Sequence, residues 1–208
     1  MLIILDLDGT IIDSEKCHFN SFVKSLERNG FKVTKEIKNK IKNVFGMSAK
    51  EIIRIVAPKI TDEKLRLVSE GVKDIAVNEE INKVKLINGA LEFIKKHNKN
   101  NDLAILTNSS QKFTKAILKS LGLAKYFKLV FTPSLNIKPK PSSEMIEFAV
   151  KKLGHSKNDC ILIGDSIYDF MSAKNANVRF IAVLSKSDYK KELKNKAECF
   201  FDLSKVKI

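Results

Sequence analysis

The chain has 208 residues, 44% hydrophobic and 30% charged, a balance that belongs to a folded globular protein and excludes a disordered tail or a bundle of membrane spans. Lys and Arg outnumber Asp and Glu by 38 to 24, for a net charge of +14. Such an excess can neutralise nucleic-acid phosphates, but these lysines are spread along the whole chain, with no Lys/Arg block of five or more and no nucleic-acid motif. Nucleic acid is therefore not expected as a partner, and the basic surface is read as one that draws in small anions. Cys17, Cys160 and Cys199 are odd in number and widely separated, and are expected to be buried thiols. The apolar start of the chain is broken by Asp6 and Asp8, too early for a signal peptide or a membrane anchor, so a cytoplasmic location and no membrane partner are expected.

In chain order, the first strand is predicted over residues 2–7 and runs into Asp6-Leu7-Asp8-Gly9-Thr10. From residue 14 to about 84 only helical periodicity appears, with a Ser48-x-x-Glu51 capping box opening one helix. Further short apolar runs follow at residues 103–107, 129–132, 160–164 and 180–184. Between them lie amphipathic helices through Phe113, Ala116, Ile117 and Leu121, and through Met145, Phe148, Ala149 and Leu153. Gly122 and Gly154 stop these two helices. Strands alternating with helices predict an α/β fold, a parallel sheet covered on both faces. The helical stretch falls where a crossover needs only one short helix, so it is predicted to be an inserted unit. The expected division is 1–13 and 85–208 for the core and 14–84 for an all-helical cap.

Side chains two apart on a strand share a face, so Asp6 and Asp8 can project together into the crevice at the carboxyl end of the sheet. Adjacent like charges are costly unless a cation or proton compensates. Downstream, the run 160–164 ends in Gly164-Asp165-Ser166-Ile167-Tyr168-Asp169, which brings two more acids to the same edge. Asp6, Asp8, Asp165 and Asp169 thus form a candidate site for a hard, oxygen-seeking cation, and Mg²⁺ fits best. Thr107 and Asn108 close another strand, and Lys138-Pro139-Lys140-Pro141 precedes a helix. Neutral donors with one fixed cation are what a transferring phosphoryl group needs.

These four motifs, in this order, resemble those of the haloacid dehalogenase superfamily. The helical insert after the first motif resembles the phosphoglycolate phosphatase and β-phosphoglucomutase branch. The resemblance covers nearly the whole chain. It implies a Rossmann-like core and a Mg²⁺-dependent phosphatase acting on a small phosphorylated metabolite. Asp6 would be the nucleophile that forms an aspartyl-phosphate. Asp8 would be the general acid and base, with its carbonyl on the metal. Thr107, the Asn108 amide and Lys140 would hold the phosphoryl oxygens, Asp165 would ligate Mg²⁺ directly, and Asp169 would act in support or through a water. An acid at position 8 disfavours dehalogenase and phosphonate-hydrolase chemistry. Of the two Lys-Pro pairs, the spacing to Glu144 and Ile146 selects Lys140 over Lys138.

His97 and His155 are expected on the surface. His18, in Asp13-Ser14-x-x-x-His18, resembles the branch's hinge and first cap helix, where a histidine can contact substrate or help proton transfer. A phosphomutase of the β-phosphoglucomutase type is the alternative, supported by His18 alone. A non-catalytic, nucleic-acid-binding member of the fold is disfavoured by four intact motifs.

Overall fold

The computed structural model describes residues 1–133, 136–187 and 189–208. In chain order, β1 (Leu2–Leu5) and β2 (Ile12–Asp13) lead into α1 (Glu15–Arg28), α2 (Lys35–Asn43), α3 (Ala49–Val56) and α4 (Asp62–Ile75). Then come β3 (Lys85–Leu86), α5 (Ala90–His97), β4 (Asp102–Leu106), α6 (Gln111–Ser120) and β5 (Leu129–Phe131). The chain ends with α7 (Glu144–Leu153), β6 (Cys160–Gly164), α8 (Ile167–Ala176), β7 (Arg179–Val183), α9 (Lys190–Lys194) and β8 (Glu198–Phe200). No helix among the described residues is long and apolar enough to cross a membrane.

The main sheet has the order β5-β4-β1-β6-β7-β8, and all its pairings are parallel. The alternation of side chains along a strand divides the apolar runs between two faces. Ile3, Leu5, Leu103, Ile105, Ile161 and Ile163 pack with Phe93 and Ile94 of α5 and with Phe113 and Ile117 of α6. Leu2, Ile4, Ala104, Leu106 and Leu162 pack with Met145, Ile146 and Ala149 of α7 and with Ala173 and Ala176 of α8. Burial on both faces explains why these strands read as continuous apolar runs. Each fully buried Ile or Leu contributes about 1.5–3 kcal/mol, enough in aggregate to carry an unfavourable cluster of carboxylates at the sheet's edge.

β1 lies at the centre, where the strand order reverses between β4 and β6. The crevice at the carboxyl ends of these strands is where open α/β sheets bind ligands. The first strand stops at Leu5 because the chain turns back beyond it: Ile11 N–H donates to the Leu7 carbonyl at 2.9 Å, and Gly9 N–H to that of Ile12 at 2.8 Å. β2 and β3, two residues each, form a small antiparallel ribbon through which the helical segment leaves and re-enters. That ribbon and β8 had no readable apolar pattern. Gly122 and Gly154 both take positive φ at the predicted helix stops, and the Ser48–Glu51 capping box is formed. Two expectations are corrected. His97 is buried against Phe93, with ring centroids 4.3 Å apart, so burial pushes its imidazole pKa down. Cys199 is only half-buried, whereas Cys17 and Cys160 are buried. His155 is half-buried and hydrogen-bonded to Asp102 at 2.9 Å.

α1 to α4 build an apolar cluster of their own around Phe22, Leu26, Ile41, Ile53 and Val68. The segment returns to the ribbon through a π-helical turn, Ala76–Glu80, which ends on a fully buried carboxylate. Glu80 accepts from Asn20 at 2.8 Å and from Lys24 and Lys83 at 2.7 Å each. Burial works against its charged form, but these hydrogen bonds outweigh it and hold the pKa down at about 2, from an ordinary 4.5. A carboxyl with a depressed folded-state pKa contributes stability that is present above its ordinary pKa and lost as pH falls through the folded one. Melting temperatures of the wild type should therefore fall across pH 4.5 to about 2 more steeply than those of Glu80→Gln. Equal acid slopes would show that this carboxylate does not anchor the return segment.

Candidate active site

Asp6 and Asp8 follow β1, Thr107 follows β4, and Asp165 follows β6, so all stand at one edge of the sheet. Asp6 N–H extends the ladder to the Ile163 carbonyl at 2.9 Å, which fixes its side chain next to the β6 motif. Gly9, at φ +78°, is required there: a Cβ at that position would collide with the Asp165 carboxylate. A Cβ on Gly164 would likewise collide with that of Asp169.

Lys140 is buried at the centre, where its Nζ donates to Asp6 Oδ1 at 2.5 Å, Asp169 Oδ1 at 2.6 Å and the Leu106 carbonyl at 3.0 Å. Burial alone would lower its pKa, but the charges of Asp169 and Asp6 hold it above the usual lysine range. Lys138 is 79% exposed and, among the described residues, its side chain reaches Glu144 at 3.5 Å. The two lysines, two residues apart, thus occupy opposite environments. Asp169 is fully engaged, since its Oδ2 accepts from the Ser166 backbone N–H at 3.1 Å and from Ser166 Oγ at 2.5 Å.

Among the described residues, four side chains hydrogen-bond to Asp8. Ser14 Oγ at 2.5 Å and His18 Nε2 at 2.8 Å meet Oδ1; Ser109 Oγ at 2.6 Å and Thr107 Oγ1 at 3.2 Å meet Oδ2. Burial would raise Asp8, but the His18 charge and the bonds from His18, Ser109 and Ser14 hold its pKa well below the usual carboxylate range. Asp6 shows the opposite balance. Burial, aided by the charges of Asp169 and Asp8 and opposed by Lys140, pushes it up to about 7. Burial and then the charges of Asp6 and Asp169 also push Asp165 well above its ordinary value.

One lysine therefore faces more carboxylate charge than it can balance. Asp6, Asp165 and Asp169 offer oxygen atoms that all lie within 4.8 Å of one another. An all-oxygen set that is short of positive charge fits a hard divalent cation such as Mg²⁺.

The helical segment closes over this edge. Asn108 Nδ2 donates to the Gly46 carbonyl at 2.9 Å and to that of Lys140 at 3.0 Å, while Asn108 Oδ1 accepts from Lys140 N–H at 2.9 Å. The Asn108 side chain is thus occupied in tying the Lys140 loop and the turn after α2 to the strand end. Tyr189 Oη donates to the Phe45 carbonyl at 3.1 Å beside it. The sequence reading brought Asp6, Asp8, His18, Thr107, Asn108, Lys140, Asp165 and Asp169 into one site, and all eight are together here. It assigned no role to Ser109, to the Ser14 hydroxyl or to Tyr189. Ser166-x-x-Asp169 was readable as a helix cap, and the structure forms that capping box.

The family profile of haloacid dehalogenase-like hydrolases matches residues 3–183, and the chain belongs to that family: it is a hydrolase. It is 27% identical over 189 residues to the pyrophosphatase PpaX of Halalkalibacterium halodurans, covering 87% of this chain and 82% of that one. It is 24% identical over 196 residues to phosphoglycolate phosphatase 1 of Pseudomonas aeruginosa, covering 88% and 68%. Among solved structures, CbbY from Rhodobacter sphaeroides, crystallised in complex with phosphate, superposes with a TM-score of 0.84 at 18% identity, covering 98% of this chain and 95% of that one. At that identity the likeness is one of fold.

Proposed function

We propose that the protein is a Mg²⁺-dependent phosphatase that hydrolyses a small phosphorylated metabolite through an aspartyl-phosphate on Asp6. The observation that carries this reading is the contrast between two carboxylates two residues apart. Asp6 is paired with a buried lysine and faces the acid cluster, while Asp8 meets three hydroxyls and His18. A carboxylate beside a lysine and a cation site suits attack on phosphorus, and one linked to hydroxyls and an imidazole suits relaying protons. The phosphatase names of the two curated relatives support the same reaction class.

An Asp6 carboxylate oxygen attacks phosphorus, the bond from phosphorus to the ester oxygen breaks, and its electron pair leaves on that oxygen, which takes a proton delivered through Asp8. His18, whose Nε2 lies 2.8 Å from Asp8, would supply that proton. A water then loses a proton to Asp8 and attacks phosphorus, the bond to Asp6 breaks, and inorganic phosphate is released. Lys140 keeps Asp6 and the phosphoryl group from repelling each other, and Thr107 with the Asn108 backbone amide holds phosphoryl oxygens. Asp6, the Asp8 carbonyl and Asp165 would hold Mg²⁺, with Asp169 acting in support. When bound, the ion supplies the charge that offsets the carboxylates and polarises the phosphoryl group. Residues 14–84 serve as a cap over a core of 1–13 and 85–208, excluding bulk water during transfer. A cytoplasmic setting suits this reading.

Phosphate release from p-nitrophenyl phosphate should vanish in chelator and return with Mg²⁺. Asp165→Ala should raise the Mg²⁺ concentration for half-maximal rate by about tenfold or more, as expected when a direct ligand is lost. Full activity in chelator would remove the metal from the mechanism. The His18 contact also suits a phosphomutase; conversion of a hexose phosphate to its isomer without phosphate release would favour that alternative.

A further inference from the structure

The cavity above the carboxylates has two unlike ends. Its floor is the polar edge of the sheet, where Phe113 of α6 packs on His18 with ring centroids 4.6 Å apart, and the helical segment adds apolar lining from Phe22 of α1, Phe45 and Met47 of the turn after α2, Ile52 of α3 and Val72 of α4. The turn is fixed in place by the bonds from Asn108 and Tyr189 to the carbonyls of Gly46 and Phe45, at 2.9 and 3.1 Å. Among the described residues, two lysines besides Lys140 reach the cavity, and each is matched by a carboxylate. Lys73 is paired with Glu70 at 2.6 Å and Lys186 with Asp13 at 2.7 Å. Asp13 and Glu15 line the cavity as well, so its leaving-group side offers no surplus positive charge. Lys140 is already occupied by Asp6 and Asp169.

A second anionic group on the substrate would enter this space without a counter-ion, and burying an unpaired charge is strongly unfavourable. A polyhydroxylated sugar would bring several hydroxyls against Phe22, Phe45, Met47, Ile52 and Val72, away from the polar lining at Asp13, Glu15 and Ser110, and unmade hydrogen bonds cost more than made ones gain. An alcohol with a short apolar body meets neither penalty. The cavity measures about 150 Å³ with the strand-end carboxylates and Lys140 in its lining, a size that favours a compact leaving group.

We infer that the substrate is a phosphate monoester of a compact, uncharged, largely apolar alcohol, selected by the wall of Phe22, Phe45, Met47, Ile52 and Val72. The inference rests on the phosphatase reading and narrows it, setting this chain apart from the relatives named for pyrophosphate and phosphoglycolate.

The test measures phosphate release by the full chain with Mg²⁺ from butyl phosphate, phosphoglycolate, pyrophosphate and glucose 6-phosphate. Butyl phosphate should have the highest kcat/KM, by at least tenfold. Met47→Lys should lower the ratio of butyl phosphate to phosphoglycolate tenfold or more, because it adds an unmatched cation to the wall. Met47 is half-buried in a turn; should that variant fail to fold, Ala49→Lys, at the first position of α3 on the same cavity, makes the same test. Wild-type turnover of phosphoglycolate, pyrophosphate or glucose 6-phosphate that equals or exceeds that of butyl phosphate overturns the inference and leaves the phosphatase reading standing. So does an unchanged ratio in a folded variant. No phosphate release from any ester brings down both.

Discussion

Asp6→Asn is expected to reduce phosphate release below detection while leaving the protein as stable as before or more so. An amide is not a competent nucleophile toward phosphorus, so no phosphoenzyme can form. The stability half of the expectation comes from electrostatics. Burial, with Asp169 and Asp8 nearby, pushes the Asp6 carboxyl from an ordinary 3.8 up to about 7. A carboxyl whose folded-state pKa is raised binds its proton more tightly in the native state, so it costs stability as pH rises through that window. A neutral amide removes the cost, and Lys140 keeps Asp169 at 2.6 Å as its counter-charge. In chelator at pH 8 the variant should therefore melt at or above the wild-type temperature, while wild type and variant converge toward pH 4. A variant that is inactive because it has unfolded would show a lowered melting temperature instead, and would leave the nucleophile unassigned.

The residues proposed for catalysis mostly follow strand ends, which is why they were legible. Asp6, Thr107 and Asp165 each follow a continuous apolar run, and a parallel sheet puts the carboxyl ends of β1, β4 and β6 side by side. What the sequence left open depends on contacts across long separations. Asp8 and Ser109 are 101 positions apart, and nothing local to Ser109 says that its hydroxyl points at a carboxylate rather than caps a helix. Tyr189 meets Phe45 across 144 positions, a pairing that exists only once the helical segment lies over the core. β2, β3 and β8 are two or three residues long, too short for alternation to register. His97 was misread for a related reason: it follows two lysines at a helix end, and only the packing of α5 turns its ring onto Phe93. Local chemistry was therefore readable, and the hydrogen bonds that aim it were not.

Lys140→Ala should lower kcat/KM by roughly a hundredfold or more, about 3 kcal/mol at ~1.4 kcal/mol per decade, whereas Lys138→Ala should change it by less than about twofold. Both lysines precede prolines and both stand before α7, so propensity does not separate them. Their surroundings do. The Lys140 side chain is 3% exposed and its amine joins Asp6 to Asp169, in a space where charge interactions are only weakly screened. Its loss leaves the nucleophile and the incoming phosphoryl group facing each other with one fewer cation between them, and it strands two buried carboxylates. Removing one member of a buried ion pair typically costs about 3–5 kcal/mol, so Lys140→Ala should also melt at a clearly lower temperature, and saturating Mg²⁺ should restore part of that loss. The Lys138 side chain is 79% exposed and reaches Glu144 at 3.5 Å, the type of surface pair that solvent screens almost completely. Steady-state kinetics with p-nitrophenyl phosphate and parallel melting curves on the two single variants check both halves. The opposite ranking in kcat/KM would mean that the phosphate-facing lysine is Lys138, and that the bond network around Asp6 does not describe the working enzyme.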